Sequence, residues 1–317
     1  SAKVVSAGSG HGIREVLAHG EYAQCVIQMT GSVFVPAGHA AATMRIRTNI
    51  GNTDVNSVGT NAWETFSVEV TVGAAVLTTL TLDLIPTNGD TTYWDNIKFQ
   101  ITKLTGPAGD FAELGNVLYH ASGRTVWKLD THWKALDVAA QNITAMRVHD
   151  ATMYRALGGS TLWQSATNLT SWSNNSRAND DRYADIFATT QSRNGTPILW
   201  KVLLNNKLAG STVPNANQWL HYVIGGSDAK IIDLVVVENI MFIVKEDGVW
   251  SLGQDGIPRN LTPDWETSRG EEQGLNGAPW LGKAYLPASR QSLWEFDVGG
   301  ARRPMHPAVF GSDVQEY

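Results

Sequence analysis

Three aromatic side chains in the N-terminal third of the chain are of a type that can hold a sugar: Trp63, Tyr93 and Trp94. A flat aromatic ring can stack on the apolar face of a pyranose while its edges remain in water. Tyr93 and Trp94 are sequence neighbours, and neighbouring residues of a strand point to opposite faces of a sheet. We therefore take all three as candidate ligand-binding residues and expect at least one of the adjacent pair to lie in the core.

Groups that could carry out a reaction are sparse. The sequence contains no His-Glu-x-x-His or Cys-x-x-Cys motif, and its one cysteine is Cys25. The acidic pairs Asp180–Asp181 and Glu271–Glu272 could serve a glycosidase, which needs two carboxylates about 5 to 10 Å apart. Consecutive acidic residues are more typical of a solvated loop. We expect a protein that is not an enzyme and uses no cofactor; the alternative is a secreted polysaccharide-active glycoside hydrolase or sialidase-like enzyme with an accessory sugar-binding module.

The charge balance and the hydropathy of the chain argue against nucleic acid and against a membrane as partners. The chain has 24 Lys and Arg against 30 Asp and Glu, a net charge of −6, so no basic excess exists to neutralise a phosphate backbone. Its most apolar stretch, Ile231–Val244, is interrupted by Asp233, Glu238 and Asn239 and falls short of the roughly 18 apolar residues of a membrane span. We expect neither nucleic-acid binding nor membrane insertion.

Short apolar runs separated by turn-forming residues predict six to eight β-strands in residues 1–104. In Phe66–Val72 every second residue is apolar, which is typical of a strand with one face in water. One proline and two glycines in Thr105–Asp110 predict a linker at 105–110. This linker would join a β-sandwich at 1–104 to a second domain at 111–317.

A tryptophan recurs in the second domain, each time after an apolar residue and before a polar one. The five copies are Trp127, Trp163, Trp200, Trp250 and Trp294. The steps between them are 36, 37, 50 and 44 residues, and their mean of about 42 is the length of a four-stranded propeller blade. We predict an all-β protein whose second domain is a β-propeller with at least five blades, either closed within this chain or continued outside it, and with the five tryptophans in equivalent positions. The alternative is a second β-sandwich in which the tryptophans recur by chance.

The N-terminal domain resembles the jelly-roll carbohydrate-binding modules. The resemblance rests on Trp63–Val68, on the strand Leu77–Leu84 and on the closing strand Tyr93–Phe99. It implies a jelly-roll sandwich that binds glycans. In that family the aspartate of the closing strand lies near a structural calcium ion, which by resemblance makes Asp95 a candidate metal ligand.

The run Ile240–Leu252, followed by Arg259–Pro263, resembles propeller segments in structural proteins of tailed bacteriophages. This resemblance implies a non-catalytic tail or surface protein of a virion, which adheres to cell-surface glycans or to neighbouring virion subunits and can form a homo-oligomer. Secretion or a cell-surface location is the alternative. The chain opens without an initiator methionine or a secretory signal pattern, which favours a processed product or part of a longer protein.

Overall fold

The computed structural model shows an all-β protein. It describes residues 2–5, 12–17, 21–59, 61–87, 90–131, 133–158, 163–169, 171–174, 184, 186–203, 207–216, 218–226, 229–263, 277–287 and 293–305. Within these ranges the chain forms 28 strands, a 3₁₀ turn at Pro214–Ala216, and no α-helix. All strands pair antiparallel in seven four-stranded sheets.

Two of these sheets are built from the first eight strands. The strands are β1 (Ala2–Val5), β2 (Ile13–Val16), β3 (Cys25–Phe34), β4 (Thr43–Thr48), β5 (Gly51–Asn56), β6 (Trp63–Val72), β7 (Leu80–Ile85) and β8 (Thr91–Leu104). The order is β1-β8-β3-β6 in one sheet and β2-β7-β4-β5 in the other. The runs Cys25–Met29 and Ser32–Val35, which look separate in the sequence, belong to one long strand, β3, except for Val35 just beyond its end.

The two sheets share one apolar core because their strands alternate. In β3 every second residue from Cys25 is buried, and β4 and β6 show the same period of two. Ile27 and Met29 of the first sheet thereby join Met44 and Ile46 of the second in one buried cluster. The first eight strands therefore form a two-sheet sandwich.

The other five sheets follow one another along the chain, and we call them blades 1 to 5. Blade 1 comprises β9 (Ala108–Leu114), β10 (Val117–Ser122), β11 (Thr125–Leu129) and β12 (Trp133–Val138). Blade 2 comprises β13 (Ile143–His149), β14 (Thr152–Leu157), β15 (Trp163–Ala166) and β16 (Ser173–Asn174). Blade 3 comprises β17 (Phe187–Gln191), β18 (Pro197–Val202), β19 (Lys207–Ser211) and β20 (Leu220–Val223). Blade 4 comprises β21 (Ile231–Val237), β22 (Ile240–Lys245), β23 (Gly248–Leu252) and β24 (Pro258–Asn260), and blade 5 comprises β25 (Ala278–Trp280), β26 (Lys283–Pro287), β27 (Leu293–Asp297) and β28 (Arg302–Pro304).

Each blade is a simple meander in which consecutive strands are hydrogen-bonded neighbours. The first strand of blade 4 contacts the first strands of blades 3 and 5. The fourth strands of blades 2 to 5 are largely exposed, as is the three-residue first strand of blade 5. This is the arrangement of a β-propeller, in which first strands lie near the axis and fourth strands lie at the rim.

Four of the five repeated tryptophans occupy the same strand of their blades. Trp127, Trp163, Trp250 and Trp294 all lie on the third strand. Trp200 lies on the second strand of blade 3, so the prediction of five equivalent positions is wrong for this residue. In blade 3 the aromatic ring comes from the second strand instead of the third. Trp200 pairs with Gly210 of the third strand, and its ring covers that glycine.

The chain divides into two compact units, one of Ser1–Phe111 with Asn116–Ile143 and the other of Ala112–Gly115 with Thr144–Tyr317. Blade 1 is thus grouped largely with the sandwich, and Trp127 belongs to the sandwich core cluster. Gln24 joins the two parts of this unit, because its Oε1 accepts hydrogen bonds from the backbone N–H of Arg124 at 2.6 Å and from Thr125 Oγ1 at 3.0 Å.

The connection between the sandwich and blade 1 is shorter than the linker predicted at 105–110. Only residues 105–107 lie between β8 and β9, because β9 begins at Ala108. Gly106 and Gly109 pack closely against backbone atoms of Ser122, Gly123 and Ala121. The independent folding of residues 1–104 stays a prediction.

A search of the described residues for a helix long and apolar enough to cross a membrane finds none.

Candidate functional site

Three aromatic side chains form a row across the outer face of the sheet β1-β8-β3-β6. Phe34 at the end of β3 pairs with Trp63 of β6 on one side and with Tyr93 of β8 on the other. The ring centroids are 5.7 Å apart for Phe34 and Trp63 and 6.2 Å apart for Phe34 and Tyr93, and both pairs are tilted. The Trp63 side chain is 52% exposed, so this row is open to solvent at one end. We call these three residues the aromatic row.

Strand alternation places the aromatic row outside the core. In β3 the buried positions start at Cys25, so Phe34 falls in the outward set together with Gln28. In β6 the buried positions are Phe66, Val68, Val70 and Val72, which leaves Trp63 in the outward set. Sequence reasoning identified Trp63 and Tyr93 but missed Phe34, although the alternation of β3 carries the signal that would have found it.

A polar ladder continues the outer face along the same strands. Gln28 Nε2 donates to Glu69 Oε1 at 2.7 Å and to Ser67 Oγ at 3.0 Å. Gln100 Nε2 donates to Gln28 Oε1 at 3.0 Å. These four side chains are fixed to one another at the surface, and they present amide, hydroxyl and carboxylate groups on the same sheet face as the aromatic row, further along the strands.

A β-bulge in β8 allows one strand to serve both parts of the face. Ser32 pairs with Asp95, but Thr30 pairs with Lys98, so Asn96 and Ile97 stand opposite a single residue. Asn96 adopts a positive φ of 52°, which asparagine tolerates better than most residues. The extra residue reverses the alternation, so that Tyr93 before the bulge and Gln100 after it both point outward.

Trp94 points into the core, so the prediction that it binds a ligand is wrong. Its side chain is only 1% exposed, and its ring lies edge-on to Phe66 with centroids 6.3 Å apart. Its indole Nε1 donates to Thr92 Oγ1 at 2.8 Å. Because Tyr93 and Trp94 are adjacent on a strand, the outward position of Tyr93 requires the inward position of Trp94.

Asp95 lies half-buried on β8, paired across the strands with Ser32. Within the described part of the chain, no three His, Cys, Asp or Glu side chains come close enough together to hold a metal ion. A calcium ion at Asp95 would have to rely mainly on carbonyl and hydroxyl oxygens. The calcium site stays a prediction from resemblance.

Among the described residues of the blades, Glu295 of β27 is a carboxylate that accepts several side-chain hydrogen bonds. It receives hydrogen bonds from Arg303 Nη2 at 2.9 Å, from Lys283 Nζ at 2.5 Å and from Tyr285 Oη at 3.2 Å. The bonds from Arg303, then Lys283, are the main causes that lower the pKa of Glu295 to about 2. Such a carboxylate stays ionised at neutral pH and cannot act there as a general acid. The pairs Asp180–Asp181 and Glu271–Glu272 lie outside the described residues.

Comparison with known proteins supports the propeller. No protein-family model matches the chain, and no curated protein matches its sequence. A catalytically inactive virginiamycin B lyase from Staphylococcus aureus, solved with quinupristin, is similar at 9% identity and a TM-score of 0.50, over 63% of this chain and 69% of that one. The CBM22-1 xylan-binding domain from Paenibacillus barcinonensis Xyn10C matches at 16% identity and a TM-score of 0.26, over 32% of this chain and 71% of that one. At these identities the lyase likeness shows a shared propeller fold.

Proposed function

We propose that this protein is a non-catalytic binding protein that adheres to glycans through the outer face of its N-terminal sandwich. The observation that carries the proposal is the aromatic row, in which three rings on three adjacent strands lie in register on the same sheet face as a fixed polar ladder. Rings stack on the apolar faces of sugars, and the amide and hydroxyl groups hydrogen-bond to their hydroxyl groups.

The strand order supports a jelly roll. Eight strands divide into the orders β1-β8-β3-β6 and β2-β7-β4-β5, so the chain crosses from sheet to sheet as two nested Greek keys do. In an antiparallel sandwich a sheet commonly packs one face on the core and leaves the other in solvent, where it can receive an extended ligand.

The dimensions of the face favour an extended, uncharged glycan. From Phe34 to Gln28 the strand β3 advances six residues, or about 20 Å at the usual rise of a strand. Among the described side chains of this face, Glu69 and Asp95 are acidic and Lys98 and Lys103 are basic, so it has no excess charge that would favour a polyanion. We therefore infer a neutral polysaccharide as the ligand class.

We place this binding activity on a bacteriophage virion, as a tail or surface protein that contacts neighbouring subunits or cell-surface glycans. The support is the resemblance of residues 240–252 and 259–263 to propeller segments of tailed-phage structural proteins. Mass spectrometry of purified particles tests the location: many copies per particle support it, and absence from particles contradicts it.

The binding activity is tested by electrophoresis of the folded protein through gels that contain neutral polysaccharides. We expect at least one polysaccharide to retard the wild-type protein. Trp63→Ala should abolish most of the retardation, with an affinity loss of about tenfold or more for one stacking ring. Trp280→Ala is the matched control, because Trp280 is a 66% exposed tryptophan of blade 5, outside the sandwich.

Two outcomes would contradict the proposal. One is the absence of retardation by any polysaccharide in the panel. The other is release of reducing ends from a retained polysaccharide that a single Asp or Glu substitution abolishes without loss of folding. The second outcome would establish the glycoside hydrolase that the sequence left as the alternative.

A further inference from the structure

Blade 3 carries a cleft that is separate from the sandwich face. Its volume is about 320 Å³, and it opens on the side of the sheet formed by β18, β19 and β20. The lining residues are Ile198, Trp200, Gly210, Ser211, Thr212, Gln218, Trp219, Leu220 and Tyr222. Volumes from about 300 Å³ upward are typical of small-molecule sites.

The cleft exists because the third strand of blade 3 has no side chain at its centre. Trp200, Gly210 and Leu220 form one cross-strand row, with Gly210 in the middle. A Cβ at Gly210 would lie 2.5 to 2.9 Å from three ring atoms of Trp200, so only glycine leaves the ring in its place. Tyr222 forms a second wall, with its ring centroid 5.4 Å from that of Trp200.

The chemistry of the lining selects an uncharged ligand. None of the nine lining residues has a side chain that is charged at neutral pH. Tyr222 is half-buried and offers part of its ring to the cleft, while Thr212 and Gln218 are exposed beside it. The ring of Trp219 packs elsewhere, with Lys201 Nζ 4.0 Å from its centroid and with Trp163 edge-on to it. Aromatic faces combined with hydroxyl and amide groups suit a ring that has an apolar face and neutral polar edges. A charged ligand would lose its hydration without gaining a counter-charge.

We propose that this cleft binds a single neutral sugar unit, as a second site independent of the aromatic row. The unit stacks against Tyr222 and hydrogen-bonds to Thr212 and Gln218. Because the two sites use different sheets and different residues, this site does not depend on the function proposed for the sandwich.

The experiment is saturation-transfer NMR with four neutral methyl glycosides, those of glucose, galactose, mannose and N-acetylglucosamine, and with methyl glucuronide as the charged comparison. The protein is the full chain carrying Trp63→Ala, which removes the sandwich site. We expect transfer to at least one neutral glycoside and at least about fivefold weaker binding after Tyr222→Ala or Gln218→Ala. Gln218 precedes β20 and is exposed, so its variant should fold even if the Tyr222 variant does not.

A matched pair of substitutions on β20 gives a second readout. Leu220 lines the cleft and is 69% exposed, and Val223 on the same strand is 65% exposed and does not line it. Leu220→Arg should block glycoside binding, and Val223→Arg should leave it unchanged. The proposal is overturned if no neutral glycoside binds the Trp63→Ala protein, if methyl glucuronide binds equally well, or if the two arginine variants behave alike. Failure of the sandwich site appears separately, as equal polysaccharide retardation of the wild-type and Trp63→Ala proteins.

Discussion

At the scale of single residues, the two buried carboxylates of the described chain, Glu295 and Asp83, are each held by several donors. Glu295 accepts hydrogen bonds from three side chains. Asp83 in the sandwich is 2% exposed and pairs with Arg14 at 2.7 Å and with Arg47 at 3.2 Å. Removing such a carboxylate leaves its cationic partners unmatched, so we expect both residues to stabilise the folded state.

We predict that Glu295→Gln lowers stability in a pH-dependent manner. The folded-state pKa of Glu295 is lowered from 4.5 to about 2, so its stabilising contribution is present above the unfolded-state value and is lost as pH falls through the folded-state value. Thermal unfolding should show a gap in Tm between wild type and variant at pH 7, and the gap should shrink between about pH 4.5 and pH 2. Asp255→Asn breaks an exposed pair with Arg259 and should change Tm little at either pH. A constant gap from pH 7 to pH 2 would contradict the assignment.

We also predict that Gly210→Ala destabilises the protein by about 1 to 3 kcal/mol, because the added methyl group displaces the ring of Trp200. Gly73→Ala is the control, since a Cβ at Gly73 meets nothing within 4 Å. Urea denaturation measures both variants. Equal midpoints for the two variants would mean that the Trp200 ring does not lie against Gly210 as described.

At the scale of elements, periodicity in the sequence predicted the architecture well and strand membership less well. Tryptophan spacing predicted five blades, because a buried ring per repeat is a local requirement of each sheet. It could not distinguish the second strand from the third, since both are buried in the same way. The clue was present in Gln191, the polar residue nine positions before Trp200, where the other four copies carry an apolar residue.

The candidate site shows the same limit at the level of strands. Asp95 is charged and is therefore expected to point outward. Tyr93 lies two residues before it on the same face of the strand, so alternation could have assigned Tyr93 outward and Trp94 inward. The neighbourhood of Trp63, Phe34 and Tyr93 could not have been predicted, since it depends on the register of β3 with two strands that are distant in sequence. The bulge at Asn96 changes the face to which the odd-numbered residues of β8 point. A regular period of two could not have predicted it.

At the scale of the whole molecule, blade 1 belongs structurally with the sandwich. We predict that a fragment ending at Ile143 unfolds cooperatively, whereas a fragment ending at Leu104 is less stable, because it loses Trp127 from the shared core cluster and the partners of Gln24. Calorimetry of the two fragments measures the difference. Rapid proteolysis of the intact chain between Gly106 and Gly109, with release of a sandwich as stable as the longer fragment, would contradict this grouping.

Binding through the sandwich face is best measured by isothermal titration calorimetry with an oligosaccharide cut from the polysaccharide that retards the protein in gels. The wild-type and Trp280→Ala proteins should bind it with the same affinity. Trp63→Ala should weaken binding by about tenfold or more, and Gln28→Ala, which removes the centre of the polar ladder, by a similar factor. Equal affinities for the wild-type, Trp63→Ala and Gln28→Ala proteins would contradict a glycan site on this face.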